Sequence, residues 1–156
     1  MDEKFRQRTE RLHEKYELLM RSTPVRDGVL TSEFKGSGVY TFTEDGKVIY
    51  VGRTRDVRKR YAHHTQPGSG QNKAVLAFKF AKKNLNIPPP TYKSDENTRN
   101  NLMLNAAFLK EFSKQKERLK SMEFRFIEEC DAISQALLEI YVSEVSESPH
   151  NDFNTT

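Results

Sequence analysis

Cysteine is nearly absent from this chain of 156 residues, since Cys130 is the only one. A single cysteine excludes an internal disulfide framework and a four-cysteine zinc site, and it favours a cytoplasmic location. Tryptophan is absent, so ten Phe and six Tyr must supply the aromatic part of the core. No apolar run approaches the ~18 residues that a membrane span needs, and the charged start of the chain does not resemble a signal peptide. The sequence therefore predicts a cytoplasmic protein of one-domain size with no membrane segment.

Positive charge is concentrated in the middle of the chain. The net charge is +4, but residues 47–120 carry seventeen basic and five acidic side chains, whereas residues 121–156 carry one basic and eight acidic. A solvated helix surface explains Lys110–Lys120. It explains the arginines between Arg53 and Arg60 poorly, because they crowd a short loop beside tyrosines. A basic region of this kind predicts a polyanionic partner.

Two β-rich runs, Gly38–Thr43 and Lys47–Val51, flank an Asp-Gly pair at residues 45 and 46. Such a pair predicts a hairpin, because the turn needs a positive φ that glycine adopts without steric cost. A third alternating run, residues 122–128, predicts another strand. With helical patterns around these runs, the sequence predicts an α+β fold with a small three-stranded antiparallel sheet flanked by helices.

Five other segments show helical periodicity. The first is predicted over residues 2–22, with Phe5, Leu12 and Leu19 in one apolar stripe that packs on the domain or contacts a second copy. A second helix is predicted after an Asp56 N-cap, and a third from Lys73 to Leu85 behind an Asn72 N-cap with Val75 turned inward. A fourth is predicted from Thr98 or Arg99 to about Lys120, with Leu102, Ala106, Leu109 and Phe112 buried. The last is predicted from Ala132 to Val145 behind an Asp131 N-cap. The predicted domains are an N-terminal helix over residues 1–24 and a domain over residues 25–156, with a helical insertion at about 66–120.

Gly38-Val39-Tyr40 and Tyr50-Val51-Gly52, with nine residues between the tyrosines, resemble the two halves of the GIY-YIG nuclease motif. Val replaces Ile in both halves, which is a physically mild change. Arg60 lies ten positions beyond the second tyrosine, where this family keeps its catalytic arginine. His64 follows one helical turn later, where the family keeps a histidine or tyrosine.

The second half of the resemblance lies near the end of the chain. Glu139 lies in a helical segment that resembles the one carrying the family's metal-binding glutamate. Phe153-Asn154 resembles the aromatic-Asn pair at the end of the family's domain. The resemblance covers about Gly36 to Asn154, while residues 66–120 match no part of it. It implies a standalone GIY-YIG endonuclease that hydrolyses phosphodiester bonds of DNA.

The resemblance also implies a role for each matching residue. Glu139 would hold Mg²⁺, or Mn²⁺ in its place, because one carboxylate with waters and a phosphate oxygen is an ordinary shell for this cation. Arg60 would hold the scissile phosphate with its guanidinium fork. Tyr40 or Tyr50 would accept a proton, because adjacent cations lower the high pKa of tyrosine, and the choice between them stays open. His64 would polarise a tyrosine hydroxyl or shuttle a proton with a pKa near working pH.

Additional contacts to nucleic acid are predicted from the basic loop and from the tail. The predicted binding residues are Arg53, Arg55, Arg58, Lys59 and Asn154. Arg53 stands where the family often has a lysine. A homodimer through the first helix would let one site per chain cut both strands.

Two other hypotheses share this fold. One is a nucleic-acid-binding module without turnover, and the other is an RNA-cleaving nuclease with the same chemistry. The complete set of candidate residues favours an enzyme, because a binding module has no need for a carboxylate in a basic groove. The nuclease hypothesis requires that the candidate carboxylate, tyrosine hydroxyls and guanidinium converge on one solvent-accessible hollow. It is wrong if the carboxyl of Glu139 lies on the opposite side of the sheet from the ring oxygens of Tyr40 and Tyr50.

Overall fold

The computed structural model describes residues 1–93 and 95–153, which form two compact units. One unit contains Met1–Lys59 and the chain from Met122 onward, and the other contains Arg60–Ser121. The elements, in chain order, are α1 (Glu3–Glu10), α2 (Leu12–Arg21), β1 (Gly38–Glu44), β2 (Lys47–Thr54), α3 (Val57–Thr65), α4 (Val75–Asn84), α5 (Arg99–Leu102), α6 (Ala106–Ser121), β3 (Glu123–Glu128) and α7 (Ala132–Val145). The boundary between the units falls within α3.

The first unit contains a three-stranded antiparallel sheet with the strand order β2-β1-β3. Asp45 and Gly46 join β1 to β2 with φ of 51° and 77°, the two positive values that a tight hairpin turn requires. The register places Tyr40 between Gly52 on β2 and Phe126 on β3. The predicted α+β fold with a small antiparallel sheet is therefore confirmed. β2 continues to Thr54, three residues beyond its predicted end.

The two faces of the sheet have different compositions. One face, here called the aliphatic face, contains Val39, Val48 and Val51, which form a buried cluster with Leu138 and Val142 of α7. The other is here called the aromatic face. It contains Tyr40, Phe42, Tyr50 and Phe124, which are in ring contact with one another, and Phe126, which stacks on Phe34 as Phe124 does. Helices α2 and α7 thus cover the aliphatic face, and the sheet carries its tyrosines on the other face.

The predicted first helix is two helices, interrupted at Arg11. Leu19 is fully buried, and Leu12 and Tyr16 pack against the same cluster on the aliphatic face. Phe5, predicted in the same stripe, is 43% exposed, so that part of the prediction is wrong. The apolar stripe of α2 is therefore used within the unit, because it covers strand side chains that would otherwise face water.

The second unit differs from the sequence prediction at two helix starts. The Asn72 cap is wrong, because α4 begins behind Ala74 without a side-chain cap, and Val75 is 47% exposed. The single helix predicted up to Lys120 is α5 and α6, since Asn105 accepts a hydrogen bond from the Phe108 amide at 3.0 Å and starts a new helix there. Ala106 and Leu109 are exposed.

Aromatic packing forms the core of the second unit. The rings of Phe78, Phe108 and Phe112 lie 4.9–6.1 Å apart between α4 and α6. Lys116 is buried beside them and donates hydrogen bonds to the carbonyls of Pro67 and Ser69, and burial lowers its pKa. Within the described part of the chain, none of the helices has the length and apolar character to cross a membrane.

Candidate functional site

Gly52 allows the motif tyrosine of β1 to lie across the edge strand. A Cβ built on Gly52 would stand 2.4 Å from both Cζ and Oη of Tyr40. The missing side chain at Gly52 therefore leaves the space that the Tyr40 phenol occupies over β2. The Gly of the second half-motif and the Tyr of the first are paired residues in the register, which explains why the two halves occur together.

Tyr50 lies beside Tyr40 on the aromatic face. The two ring centroids are 6.2 Å apart with the planes inclined at 46°. Tyr40 is 1% exposed, and Tyr50 is partly exposed. Of the two candidate proton acceptors, Tyr50 is thus the more accessible to solvent.

Glu139 is held by an arginine of the edge strand. Its Oε2 lies 3.2 Å from Nε of Arg53, and the side chains are 20% and 48% exposed respectively. Leu138 and Val142 of the same helix face the sheet, while Ser134 and Tyr141 contact side chains of α1 and α2. Because successive helix residues turn by about 100°, Glu139 lies on the flank of α7 that faces away from α2. This flank is the one beside β2.

Burial raises the pKa of Glu139 above its ordinary value, and the neighbouring Arg53 opposes that change by its charge and its hydrogen bond. A partly buried carboxylate is costly unless a cation compensates it. Arg53 supplies this compensation in the protein alone. A divalent cation at the same carboxylate would supply it more strongly, because its charge is larger.

The raised pKa predicts a stability difference that depends on pH. From pH 4.5 upward, Glu139 ionises in the unfolded chain before it ionises in the folded one. In this range the folded state binds more protons than the unfolded state, so the contribution of Glu139 to the free energy of unfolding falls as pH rises. Above the raised pKa, this contribution is constant. We expect Glu139→Gln to gain stability relative to the wild type across this window.

Urea unfolding of both proteins at pH 4 and pH 7 measures this effect. The free energy of unfolding of Glu139→Gln minus that of the wild type should be larger at pH 7 than at pH 4. A difference that shrinks with rising pH would show that the ion pair with Arg53 outweighs the cost of burial.

The tyrosines and Glu139 do not share a face of the sheet. Tyr50 and Arg53 are three positions apart on β2, so their side chains leave the strand on opposite faces. Arg53 pairs with Val39 of the aliphatic face, and Glu139 contacts it there. The expectation of a common face is therefore wrong, and the nuclease hypothesis in its single-hollow form is wrong with it. The two sets approach β2, an edge strand, from its two sides.

Asn151 binds the outer edge of β2, and sequence reasoning missed it. Its Oδ1 accepts a hydrogen bond from the Val51 amide at 2.9 Å, and its Nδ2 donates to the Val51 carbonyl at 2.7 Å. The amide of His150 donates to the carbonyl of Ile49 at 3.3 Å. These contacts satisfy backbone groups that an edge strand would otherwise leave open to pairing. An isolated Asn after Ser148-Pro149 carried no local signal of this role.

Replacing Asn151 by alanine is expected to lower the free energy of unfolding by about 2 kcal/mol, because two hydrogen bonds to a strand backbone are lost. Thermal or urea unfolding measures the loss. Asn72→Ala is the matched control, because Asn72 is exposed and no cap contact depends on it. Equal stability of the two variants would mean that water replaces the Asn151 amide without cost.

The other predicted nucleic-acid contacts are mostly exposed. Arg55 and Lys59 extend into solvent on either side of the confirmed Asp56 cap, whose carboxylate accepts a hydrogen bond from the Lys59 amide at 3.1 Å. Arg58 donates to the carbonyl of Thr31 at 2.7 Å, so part of its donor capacity is occupied. Asn154 lies outside the described residues.

Arg60 and His64 lie four positions apart on the part of α3 that belongs to the second unit. Arg60 is partly exposed. His64 is buried, and burial, together with the charges of Arg60 and His63, lowers its pKa to about 3. The prediction that its pKa lies near working pH is wrong, because folding buries the imidazole and no local sequence pattern indicates this burial. At neutral pH, His64 is therefore a buried, uncharged imidazole.

The donor set restricts the metal chemistry. Among residues 1–93 and 95–153, no group of three or more His, Cys, Asp or Glu side chains is placed to hold a metal ion. A site built on Glu139 would therefore use one protein carboxylate and complete its shell with water and substrate oxygens. Mg²⁺ accepts such a shell, since it retains several waters and commonly binds one or two carboxylates plus phosphate.

No protein-family model, curated protein or solved structure matches this chain.

Proposed function

We propose that this protein is a divalent-metal-dependent endonuclease that hydrolyses phosphodiester bonds of DNA at the end of β2 that carries Arg53. The observation that carries the proposal is Glu139, a carboxylate of raised pKa held against Arg53 of the strand that contains the second half-motif. The spacing of the two half-motifs and the Tyr40 ring lying over Gly52 support it. The basic loop after β2 supports a polyanionic substrate.

The proposed site lies beside β2 because the candidate groups reach this strand from two faces. His150 and Asn151 cover the outer backbone edge of β2 at Ile49 and Val51, so a sugar-phosphate strand that meets side chains from both faces would pass β2 beyond Val51, at the end that carries Arg53. Tyr50 would be reached from the aromatic face, and Arg53 and Glu139 from the aliphatic face. This arrangement replaces the single hollow that the sequence predicted.

In this proposal, each protein group has a defined task. Glu139 would hold Mg²⁺ or Mn²⁺, which when bound supplies Lewis-acid stabilisation and a more acidic bound water. Arg53 would donate hydrogen bonds from its guanidinium to a non-bridging phosphate oxygen. Tyr50 or Tyr40 would accept a proton from the attacking water.

A second candidate is a nucleic-acid-binding module without turnover. The placement of the tyrosines and Glu139 on different faces favours it, because a hydrolytic centre needs its proton acceptor and its metal carboxylate near one phosphorus atom. In that case, the task of Glu139 is to hold Arg53 in position. An RNA-cleaving nuclease is a further alternative, because RNA has the same phosphodiester chemistry.

Incubation with supercoiled plasmid DNA and with a folded RNA tests these alternatives. The full-length protein is assayed with Mg²⁺, with Mn²⁺ and with EDTA, and binding is measured in EDTA by gel shift. Metal-dependent nicking of the plasmid is the expected result. Cleavage of the RNA but not of the plasmid would show that RNA is the substrate. Binding of either polymer without cleavage under any condition would establish the binding module.

A further inference from the structure

A charged cavity lies in the first unit, formed by α1, α2 and the start of α7. Its volume is about 380 Å³. The charged residues that line it are four basic and two acidic: Lys4, Arg8, Arg11, Lys15, Glu129 and Asp131. Because these side chains come from segments of near-neutral and acidic composition, the excess of positive charge is created by folding.

The basic residues form one stripe along the N-terminal helices. Their spacing is four, three and four residues, which keeps side chains on one side of a helix. Arg11 separates α1 from α2 but retains right-handed helical backbone, with φ −88° and ψ −8°. The stripe therefore continues across the interruption. The acidic residues of the same two helices, Glu3, Glu10, Glu14 and Glu17, do not line the cavity.

Both carboxylates in the cavity are already paired. Asp131 accepts from Arg8, which also donates to Ser134 Oγ at 2.9 Å, and Glu129 accepts from Lys15. The hydrogen bond from Arg8 is the largest cause that lowers the pKa of Asp131. Asp131 additionally accepts from the Ser134 amide as the N-cap of α7. Arg8 and Lys15 are therefore fixed in place and largely neutralised by their partners.

Lys4 and Arg11 supply the remaining positive charge. Within the part of the chain that the structure describes, neither side chain lies within salt-bridge distance of a carboxylate, and both are exposed. Two cations without a carboxylate partner at the mouth of one cavity match an anion of charge near −2. A phosphate monoester has this charge, about −1.5 to −2 at pH 7.

We propose that this cavity binds a phosphate monoester, with Lys4 and Arg11 contacting the phosphate and Arg8 and Ser134 forming the rigid wall. The volume is within the range of ~300–1,000 Å³ that small-molecule sites occupy, so it accepts a group of mononucleotide size. The phosphate can belong to a free nucleotide or to the end of a nucleic-acid strand. The proposal does not depend on the nuclease activity, because the residues involved are separate from Tyr50, Arg53 and Glu139.

A calorimetric titration of the full-length protein in EDTA tests the site without interference from cleavage. The probes are inorganic phosphate, adenosine 5′-monophosphate and adenosine. We expect one nucleotide per chain, weaker binding of phosphate, no binding of adenosine, and an affinity that falls with added salt. Failure of the nucleotide to bind, or equal binding of adenosine, would overturn the proposal.

Charge-removing variants locate the site. Lys4→Gln/Arg11→Gln should weaken nucleotide binding about tenfold or more, because hydrogen bonds from charged groups are lost. Arg6→Gln on the same helix is the matched control, since Arg6 does not line the cavity, and it should change affinity less than about twofold. Circular dichroism checks that both variants are folded. Equal affinities of the double variant and the control would contradict the site.

Two oligodeoxynucleotides of one sequence identify the source of the phosphate. One carries a 5′-phosphate and the other a 5′-hydroxyl. Tighter binding of the phosphorylated strand, lost in Lys4→Gln/Arg11→Gln, would assign the cavity to strand ends. Equal binding of the two strands, with nucleotide binding intact, would assign it to free nucleotides. Glu144→Gln should behave as the wild type in this assay, because Glu144 is exposed and does not line the cavity.

Discussion

Glu139→Gln is expected to lower Mg²⁺-dependent cleavage of plasmid DNA on the order of 10³-fold, because a metal ion contributes several kcal/mol to stabilising such a transition state. Glutamine keeps the size of the side chain but lacks the charge that would retain the cation. Since burial raises the pKa of Glu139, the same substitution should leave the fold intact or more stable at neutral pH. The measurement is the single-turnover rate of plasmid nicking in Mg²⁺.

The matched control is Glu144→Gln, an exposed carboxylate in the last two turns of the same helix. It should cleave at the wild-type rate. DNA binding in EDTA should be similar for both variants and the wild type, because no metal ion is then present at Glu139. Wild-type cleavage by Glu139→Gln would remove this residue from the metal site. If Glu139→Gln cleaves at the wild-type rate and still requires Mg²⁺, another carboxylate must hold the ion.

Gly38→Ala is expected to destabilise the protein by about 3 kcal/mol, the upper part of the usual range for overpacking. A Cβ at this position would stand 2.0 Å from the carbonyl oxygen of Ile127 and 2.8 Å from the Phe126 ring. The carbonyl belongs to the neighbouring strand and cannot move without disturbing the β1–β3 ladder. At roughly 2–4 °C per kcal/mol, the midpoint of thermal unfolding should fall by about 10 °C.

Gly68→Ala provides the comparison, because a Cβ there meets no atom within 4 Å. Its stability should differ from the wild type by less than about 1 kcal/mol and can increase, since alanine restricts the unfolded chain. Scanning calorimetry of both variants is sufficient. A Gly38→Ala protein as stable as Gly68→Ala would mean that β3 moves aside freely. The close contact between β1 and β3 would then not require glycine at position 38.

Short-range signals predicted the parts of the fold that depend on neighbouring residues. The turn at Asp45 and Gly46 has the positive φ values that its sequence indicates. Asp56 and Asp131 cap their helices through hydrogen bonds to the Lys59 and Ser134 amides. Each of these contacts joins residues at most three positions apart, so the sequence contains both partners in one window.

Helix starts with several equivalent candidates were predicted less well. The segment before α6 contains many asparagines, and the one that caps is Asn105, whereas Asn72 does not cap α4. An N-cap is selected by where the helix can pack, in addition to its side chain. Here the phenylalanines of α4 and α6 pack together and determine which turn becomes helical.

The candidate site was predicted as a set of residues, and its arrangement was not. Spacing indicated Tyr40, Tyr50 and Glu139, but it did not indicate that Glu139 approaches from the aliphatic face. That depends on α7 crossing beside β2, which involves residues more than eighty positions apart. Asn151, which binds Val51 at a separation of 100 positions, was missed for the same reason. The burial that lowers the pKa of His64 is likewise produced by folding.

By itself, the sequence determined the alternation of the strands, the glycine turn, two helix caps and the residue types available for chemistry, because these depend on backbone geometry and on adjacent side chains. Only the tertiary structure decided that β2 is an edge strand, that Arg53 pairs with Glu139, and that four basic residues of a near-neutral segment line one cavity. Those features arise when segments distant in the chain pack together, and no local pattern specifies which segments will meet.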